Sequence, residues 1–168
     1  ILTLFFGSIN ISNADINRII AGNKDAKVTI IAYESLTCSH CADFHKDVYP
    51  KLKKDYIDTG LAKIEFRHFP LDVAAFNASK ISQCKSDESL KILNSLYSNQ
   101  QEWIKGNTVD EVNKNLKKFI ENQGFEINFE NCINDKEIED YVLNDRIEGV
   151  KKFKVNATPT IIINNEKF

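Results

Sequence analysis

The feature that most constrains the fold is a pair of cysteines placed where a buried strand gives way to a helix. Residues 27–34 form a nearly continuous apolar, β-branched run, which predicts a central strand covered on both faces. The motif Cys38-Ser-His-Cys41 follows, and apolar residues then recur every three or four positions up to Tyr56, which predicts a helix. A chain that folds in this way presents a Cys-x-x-Cys motif at the first turn of a helix.

This position of the motif favours redox chemistry. The free backbone N–H groups and the dipole at a helix N-terminus stabilise a thiolate on Cys38, the first of the two cysteines. Cys41 lies one turn further along and nearer the core. We therefore interpret Cys38 as the exposed nucleophile and Cys41 as the resolving partner. A protonated His40 between them would add to the stabilisation of the thiolate.

Two other interpretations of the motif stay open from the residues alone. Cys38 and Cys41 could be half of a structural zinc site completed by Cys84 and Cys132, although zinc ribbons usually supply a second Cys-x-x-Cys. The pair could also be a purely structural disulfide, but such a short loop gains little from closure. His45 and His68 have no metal-ligand spacing, and we interpret both as ordinary residues.

The remaining pattern predicts an α/β fold with a large helical insertion. Residues 61–69 alternate apolar and polar side chains, which predicts a second strand in a right-handed strand–helix–strand unit. Pro50 interrupts the first helical pattern and is expected to kink or end it. Four helices are predicted next, at residues 74–85, 89–103, 109–123 and 135–152. A third strand is predicted at 158–165, and the sequence stops at Phe168, where its hairpin partner should begin.

Composition and charge limit the function classes. The 168 residues are 42% hydrophobic and 27% charged, which fits one globular domain. The net charge of -2 and the lack of a basic stripe give no support to a nucleic-acid partner. No methionine occurs, so we expect a processed chain or a fragment.

The first residues predict export. The apolar run Ile1–Phe6, followed by Ser12-Asn-Ala14, is typical of the end of a signal peptide with small residues at the cleavage site. The alternative is an N-terminal strand packed in the core. An exported protein tends to keep its cysteines paired.

The order of these motifs resembles the DsbA-like thiol:disulfide oxidoreductases of the thioredoxin superfamily. The resemblance rests on strand-Cys38-x-His40-Cys41-helix, Phe69-Pro-Leu-Asp72, Gln83-Cys84 and Val155-Asn-Ala-Thr-Pro-Thr160, and it is strongest to the alphaproteobacterial type with an additional disulfide. It implies a thioredoxin fold with an inserted helical domain, lacking the family's final strand and helix. The expected divisions are a partial signal peptide at 1–14, the first half of the thioredoxin fold at 15–70, the insertion at 71–150 and the second half from 151 to 168.

The resemblance also implies roles for residues outside the motif. Pro159 is expected to be a cis-proline facing Cys38, with the main chain of Thr158 offered to a substrate peptide. Cys84 and Cys132 are expected to form a structural disulfide with each other.

Two departures from the family pattern concern the active site itself. Ser39 stands where many relatives carry proline, and Ala32 stands where they carry a buried acid. Glu34 lies on the same strand face as Ala32, two residues later. Our hypothesis is that Glu34 assists proton transfer to or from Cys41; the alternative is a solvated acid at a strand end.

The function implied is the oxidation of cysteines in exported proteins in the periplasm, through the Cys38–Cys41 disulfide. The expected partners are cysteine-containing substrates and a quinone-linked membrane protein that reoxidises the dithiol; no metal or organic cofactor is expected. Two alternatives remain at this point. One is a periplasmic disulfide reductase or isomerase, and the other is an exported surface or binding protein with a vestigial motif.

Overall fold

The structure is a computed structural model that describes residues 16–168. The predicted signal segment at 1–14 lies outside the described residues. Within the described part, a five-stranded sheet is flanked by a long helix that follows the cysteine motif and by a block of helices between the third and fourth strands.

The sheet has the strand order β1-β3-β2-β4-β5. The strands are β1 Ile19–Ala21, β2 Val28–Glu34, β3 Ala62–His68, β4 Thr160–Ile163 and β5 Glu166–Lys167. The predicted strands at 27–34 and 61–69 pair in parallel, and β4 pairs with β2 in antiparallel fashion. This arrangement makes β2, which leads into Cys38, the central strand, and it places the start of β4 beside the end of β2.

Both outer strands are short. β1 pairs antiparallel with β3 and has no counterpart among the three predicted strands, because three residues are too few to show an alternating pattern. β5 pairs with β4 through a tight turn in which Asn164 and Asn165 both have positive φ. Asparagine tolerates this left-handed conformation, which two-residue hairpin turns require. The hairpin partner expected at the end of the chain is therefore present as β5.

The helix after the cysteine motif runs continuously through residues 39–57. Two α-helical segments, α1 Ser39–Asp43 and α2 Tyr49–Leu52, alternate with π-helical turns at Phe44–Val48 and Lys53–Ile57. Of the two expectations for Pro50, a kink or an end of the helix, the second is wrong, because the helix continues past it. Pro50 lies in the first turn of α2, directly after a π-helical turn, where proline's missing N–H is tolerated.

The helical block comes close to the predicted pattern. Its members are α3 Val73–Gln83, α4 Ser89–Ser98, α5 Gln100–Trp103, α6 Val109–Asn122, α7 Phe129–Asn134 and α8 Lys136–Phe153. The single helix predicted at 89–103 is divided at Asn99, whose backbone leaves the helical region. The six-residue α7 was not predicted.

The block and one face of the sheet share a hydrophobic core. The same cluster of buried side chains contains Ile64 and Phe66 of β3, Cys41, and Leu96 and Trp103 of the block. On the other face, α8 packs against Tyr33 of β2 at Gly149, where a Cβ atom would lie 2.8 Å from the tyrosine ring. The cysteine helix is thus held between the sheet and the block. The domain boundaries at 70 and 150 stay a prediction.

Candidate active site

Cys38 occupies the N-cap of α1, directly after the loop that leaves β2. Its backbone is extended (φ −78°, ψ 121°), and its carbonyl accepts the first helical hydrogen bond, from Ala42 N at 3.2 Å. Cys38 is partly exposed, whereas Cys41 is fully buried, and both are free thiols. This geometry gives one accessible sulfur at the positive end of a helix and one protected sulfur a turn below it.

The Cys38 sulfur lies against the loop that enters β4. The Sγ atom donates to the carbonyl oxygen of Thr158 at 3.4 Å, and the Thr158–Pro159 peptide bond is cis. Because β4 pairs with β2 from Tyr33 to Ile30, the start of β4 lies beside the end of β2. Thr158 and Pro159 are partly exposed, so the main chain beside the sulfur is accessible to another polypeptide.

A buried amide from the helical block holds the cysteine loop. The Gln100 side chain, on α5, donates from Nε2 to the carbonyl oxygens of Leu36 at 2.9 Å and Cys38 at 3.0 Å. Gln100 is 4% exposed, so neither carbonyl has bulk water to replace this donor. Sequence reasoning missed Gln100, since 62 residues separate it from Cys38 and no local pattern connects them.

The two residues inside the motif face solvent. Ser39 and His40 are exposed, and the His40 Nδ1 atom lies 3.9 Å from the carboxylate of Asp43, one turn along the helix. His40 is therefore beside the cysteine pair in the chain and free to contact a bound substrate. Its predicted electrostatic effect on Cys38 stays a prediction.

Glu34 is not a solvated acid, so that alternative is wrong. Its side chain is 3% exposed, and a hydrogen bond of 2.8 Å joins Oε2 to Nε2 of His45, whose side chain is 4% exposed. The interpretation of His45 as an ordinary residue also needs correction, because its imidazole is the hydrogen-bonding partner of this buried acid. A sequence signal existed: His45 lies four residues after Cys41 and hence on the same, inward face of the helix.

Burial shifts the pKa values of Glu34 and Cys41. Desolvation raises the pKa of Glu34, and the contacts with His45 and the Tyr97 hydroxyl oppose that rise. The pKa of Cys41 is raised well above that of an ordinary thiol, first by burial and then by the negative charge of Glu34. Burial therefore favours the neutral thiol of Cys41, and Glu34 is the carboxyl group that acts on it electrostatically.

The remaining two cysteines are bonded to each other. Cys84 follows α3, Cys132 lies in α7, and their Cα atoms are 5.6 Å apart. The bond leaves Cys38 and Cys41 without the two further sulfurs that a four-thiolate zinc site needs. Within residues 16–168, no cluster of three or more histidine, cysteine or acidic side chains is arranged to hold a metal ion.

His68 lies at the end of β3, on the interface with the helical block. It is 3% exposed, its Nε2 atom is 3.0 Å from the Gln83 amide nitrogen, and its backbone N–H donates to Asp145 of α8. Burial lowers the pKa of His68 to about 4, so the side chain is neutral at pH 7. His68 is therefore a neutral core residue of the folded protein.

Comparisons with known proteins agree with this geometry. A family model described as thioredoxin matches residues 14–168. A protein of Rickettsia bellii named as a protein-disulfide oxidoreductase is 29% identical over 152 residues, covering 89% of this chain and 58% of the relative. Disulfide bond formation protein D of Bacillus subtilis is 26% identical over 157 residues, covering 88% of this chain and 68% of that protein. The chain thus spans little more than half the length of the Rickettsia relative.

Solved structures show the same fold. The crystal structure of Wolbachia pipientis alpha-DsbA1 is 32% identical in sequence and superposes with a TM-score of 0.77, covering 90% of this chain and 78% of that one. BdbD from Bacillus subtilis, at 22% identity and a TM-score of 0.72, covers 90% of this chain and 83% of its own and shares the fold. No helix within residues 16–168 has the length and apolar character needed to cross a membrane.

Proposed function

The chain belongs to the thioredoxin family, within its DsbA-like group, and we propose that it is a thiol:disulfide oxidoreductase that introduces disulfides into exported proteins. The observation that carries the proposal is the position of the Cys38 sulfur. It is partly exposed at a helix N-terminus, 3.4 Å from the Thr158 carbonyl at the cis-proline loop. A structural cysteine pair needs neither an accessible sulfur nor an open main-chain segment beside it.

The proposed reaction begins with the oxidised protein, in which Cys38 and Cys41 form a disulfide. A substrate thiolate attacks the Cys38 sulfur; a substrate–Cys38 bond forms, the Cys38–Cys41 bond breaks, and the electron pair leaves on Cys41. Cys41 then takes a proton, which its buried position favours. A second substrate thiolate attacks the substrate sulfur of the mixed disulfide and releases Cys38. The substrate loses two electrons, and the protein is left as the dithiol.

Neighbouring residues would serve this exchange in distinct ways. The main chain of Thr158, held by the cis bond to Pro159, would align the substrate strand beside Cys38. Ser39 and His40 would contact the substrate from the exposed helix end, and a charged His40 would favour the Cys38 thiolate as the leaving group. Glu34 would supply the proton that Cys41 takes. These assignments follow the DsbA-like pattern residue by residue, except at Ser39 and Glu34.

The cellular setting is part of the proposal. The names of the relatives, protein-disulfide oxidoreductase and disulfide bond formation protein, support a role in making disulfides. We place that role in the periplasm, on cysteine-containing proteins that have been exported. A quinone-linked membrane protein would take the two electrons from the Cys38–Cys41 dithiol and regenerate the disulfide. A role as a reductase or isomerase would use the same residues with the electron flow reversed.

The proposal is tested with the full-length protein and a reduced peptide that carries two cysteines. The oxidised wild type should convert the peptide to its disulfide stoichiometrically, and Cys38→Ala should not. The matched control is the Cys84→Ala/Cys132→Ala variant, which lacks the other disulfide and should still oxidise the peptide. Peptide oxidation by Cys38→Ala at the wild-type rate would refute the proposal. An equilibrium that lies toward reduced peptide would assign the protein to the reductases or isomerases.

A further inference from the structure

A cleft between the cysteine helix and the helical block is lined in part by the buried residues His45 and Tyr97. It has a volume of about 540 Å³ and lies between the cysteine helix and the junction of α4 with α5. Its walls include Ala42, His45 and Lys46 from the cysteine helix and Tyr97, Ser98 and Asn99 from the block. The described residues that line it include Ser39 of the cysteine motif but neither Thr158 nor Pro159.

His45 connects this cleft to Glu34. The imidazole lines the cleft, and its Nε2 atom lies 2.8 Å from the Glu34 carboxylate. The other nitrogen, Nδ1, is buried and has no hydrogen-bond partner among the described residues, as is also true of Glu34 Oε1. A buried nitrogen without a hydrogen-bond partner lowers the stability of the folded protein, because it has lost its hydrogen bond to water and gained none in return. A purely structural role for His45 does not account for this cost. Because Nδ1 has no hydrogen-bond partner within residues 16–168, it is available to accept or release a proton.

The surrounding structure holds the imidazole in one orientation. His45 stacks on the Tyr97 ring, with centroids 4.0 Å apart and planes inclined by 18°, and it also contacts the rings of Tyr49 and Phe66. It lies in the π-helical turn Phe44–Val48, and π-helical turns occur frequently at functional sites. The turn and the stacking keep one nitrogen at Glu34.

We propose that His45 is the positioning residue of a proton relay, passing protons between solvent in the cleft and Glu34, which in turn protonates the Cys41 thiolate. The inference rests on the proposed function, because Cys41 becomes a thiolate only when its disulfide with Cys38 is reduced. It adds the route by which Glu34 regains its proton after each turnover. The cleft at the outer end of that route is lined neither by Thr158 nor by Pro159, the main chain that would align the substrate.

The protons balance over one cycle. Before reduction, Glu34 and His45 together share one proton. When substrate breaks the Cys38–Cys41 bond, the Cys41 thiolate takes that proton and becomes a thiol. His45 then takes a proton from solvent in the cleft and restores the pair. Reoxidation runs in the opposite direction, and the proton leaves through His45 as Cys41 loses it.

Among the described residues, the titratable groups at the pair come from three elements. Glu34 belongs to β2, Cys41 and Tyr49 to the cysteine helix, and Tyr97 to α4. Burial raises the pKa of Tyr49 to about 12 and that of Tyr97 well above its usual value, so both are neutral at pH 7. The charged side chains at the cleft are Asp43, Lys46 and Glu102. Glu34 and His45 are thus the polar pair that lies between Cys41 and the cleft.

The test measures how fast a dithiol reduces the Cys38–Cys41 disulfide of the full-length protein, as a function of pH. His45→Gln keeps a polar partner for Glu34 but cannot carry a proton at neutral pH, so the rate at pH 7 should fall at least about tenfold. His45→Ala opens space beside the cleft, and added imidazole should restore its rate. Lys46→Gln, an exposed change on the same cleft wall, is the matched control and should leave the rate unchanged.

Two further variants leave His45 unchanged, so they test the relay even if a substitution at position 45 impairs folding. Ser98→Trp places a large side chain at the cleft from an exposed position and should slow reduction, whereas Lys91→Trp on the solvent face of α4 should not. The relay is refuted if His45→Gln retains the wild-type rate and pH profile, or if His45→Ala is slow and imidazole does not rescue it. Either result leaves the proposed function standing, because that function is tested separately by peptide oxidation with the wild type and Cys38→Ala.

Discussion

The molecule contains two cysteine pairs whose surroundings differ in almost every respect. Cys38 and Cys41 are three residues apart at a helix N-terminus, with one sulfur accessible and with a carbonyl, a buried acid and an imidazole close by. Cys84 and Cys132 are 48 residues apart and tie α3 to α7 inside the helical block. The first pair has the neighbours that the proposed thiol–disulfide exchange requires, and the second has the sequence separation that restricts an unfolded chain.

The difference shows that the role of a disulfide is decided by loop length and by neighbours together. A short loop gains almost nothing from closure, so a Cys-x-x-Cys pair is free to open and close at little cost to the fold. A long loop stabilises the folded state by restricting the unfolded chain, and opening it sacrifices that gain.

The first prediction separates the two sulfurs of the redox pair. In the reduced protein, iodoacetamide should modify Cys38 at least about tenfold faster than Cys41, because Cys41 is fully buried and because burial and Glu34 raise its pKa and so lower its thiolate fraction. Peptide mapping by mass spectrometry gives both rates. Equal rates would contradict the assignment of an accessible and a protected sulfur.

The second prediction concerns the stabilising pair. The Cys84→Ala/Cys132→Ala variant should lose about 4 kcal/mol of unfolding free energy, since its disulfide closes a loop of 48 residues. Urea unfolding of the variant and the wild type measures the difference. Reducing Cys38–Cys41 alone should change the free energy of unfolding much less, because this short loop contributes little loop entropy. A larger loss of stability from reducing Cys38–Cys41 than from removing Cys84–Cys132 would contradict the prediction.

The third prediction tests the interface between the sheet and the helical block. An unfolded histidine binds a proton near pH 6.5, whereas folded His68 does so near pH 4. Between these two pH values the unfolded state binds more protons than the folded state, so the folded protein becomes less stable as the pH falls. The contribution of His68 to stability is fully present above pH 6.5 and is lost as the pH falls toward 4, by on the order of 3 kcal/mol. Urea unfolding at each pH should show this slope, and His68→Gln should flatten it. An unchanged slope in the variant would refute the assignment.

The fourth prediction concerns the amide that connects the block to the cysteine loop. Gln100→Leu leaves the carbonyls of Leu36 and Cys38 without their buried donor, so we expect a loss of about 1–3 kcal/mol in stability. Peptide oxidation should also slow, because the loop that carries Cys38 is no longer held. Gln101→Leu, an exposed neighbour, is the matched control and should change neither quantity. Equal effects from both substitutions would remove Gln100 from the active-site description.

Much of this architecture follows from local pattern. The β-branched run of β2 and the alternation of β3 show their strands directly, and the helical block shows the 3.6-residue period. β1 and α7 escaped prediction because three and six residues are too short to establish a period. The π-helical turns escaped it as well, since their hydrogen bonds shift by one residue without changing which residues are apolar.

The active site, like the fold, could be predicted from the sequence only in part. The sequence motif identified Cys38 and Cys41, and the resemblance to the DsbA-like group pointed to the cis bond before Pro159 and to the Cys84–Cys132 bond, which the structure contains. The burial of Glu34 depends on how the block covers the end of β2, and that tertiary packing leaves no local signature. For the same reason, the pairing of Glu34 with His45 became visible only in the fold.

The central claim is that Cys38 is the sulfur that exchanges with substrate, and trapping the mixed disulfide tests it most directly. Cys41→Ala and Cys38→Ala are each incubated with a peptide that carries one activated cysteine disulfide, and adducts are measured by mass spectrometry. We predict that Cys41→Ala accumulates a peptide adduct on Cys38, while Cys38→Ala remains free of adduct under the same conditions. An adduct that forms equally fast on Cys41 in the Cys38→Ala variant would contradict the claim.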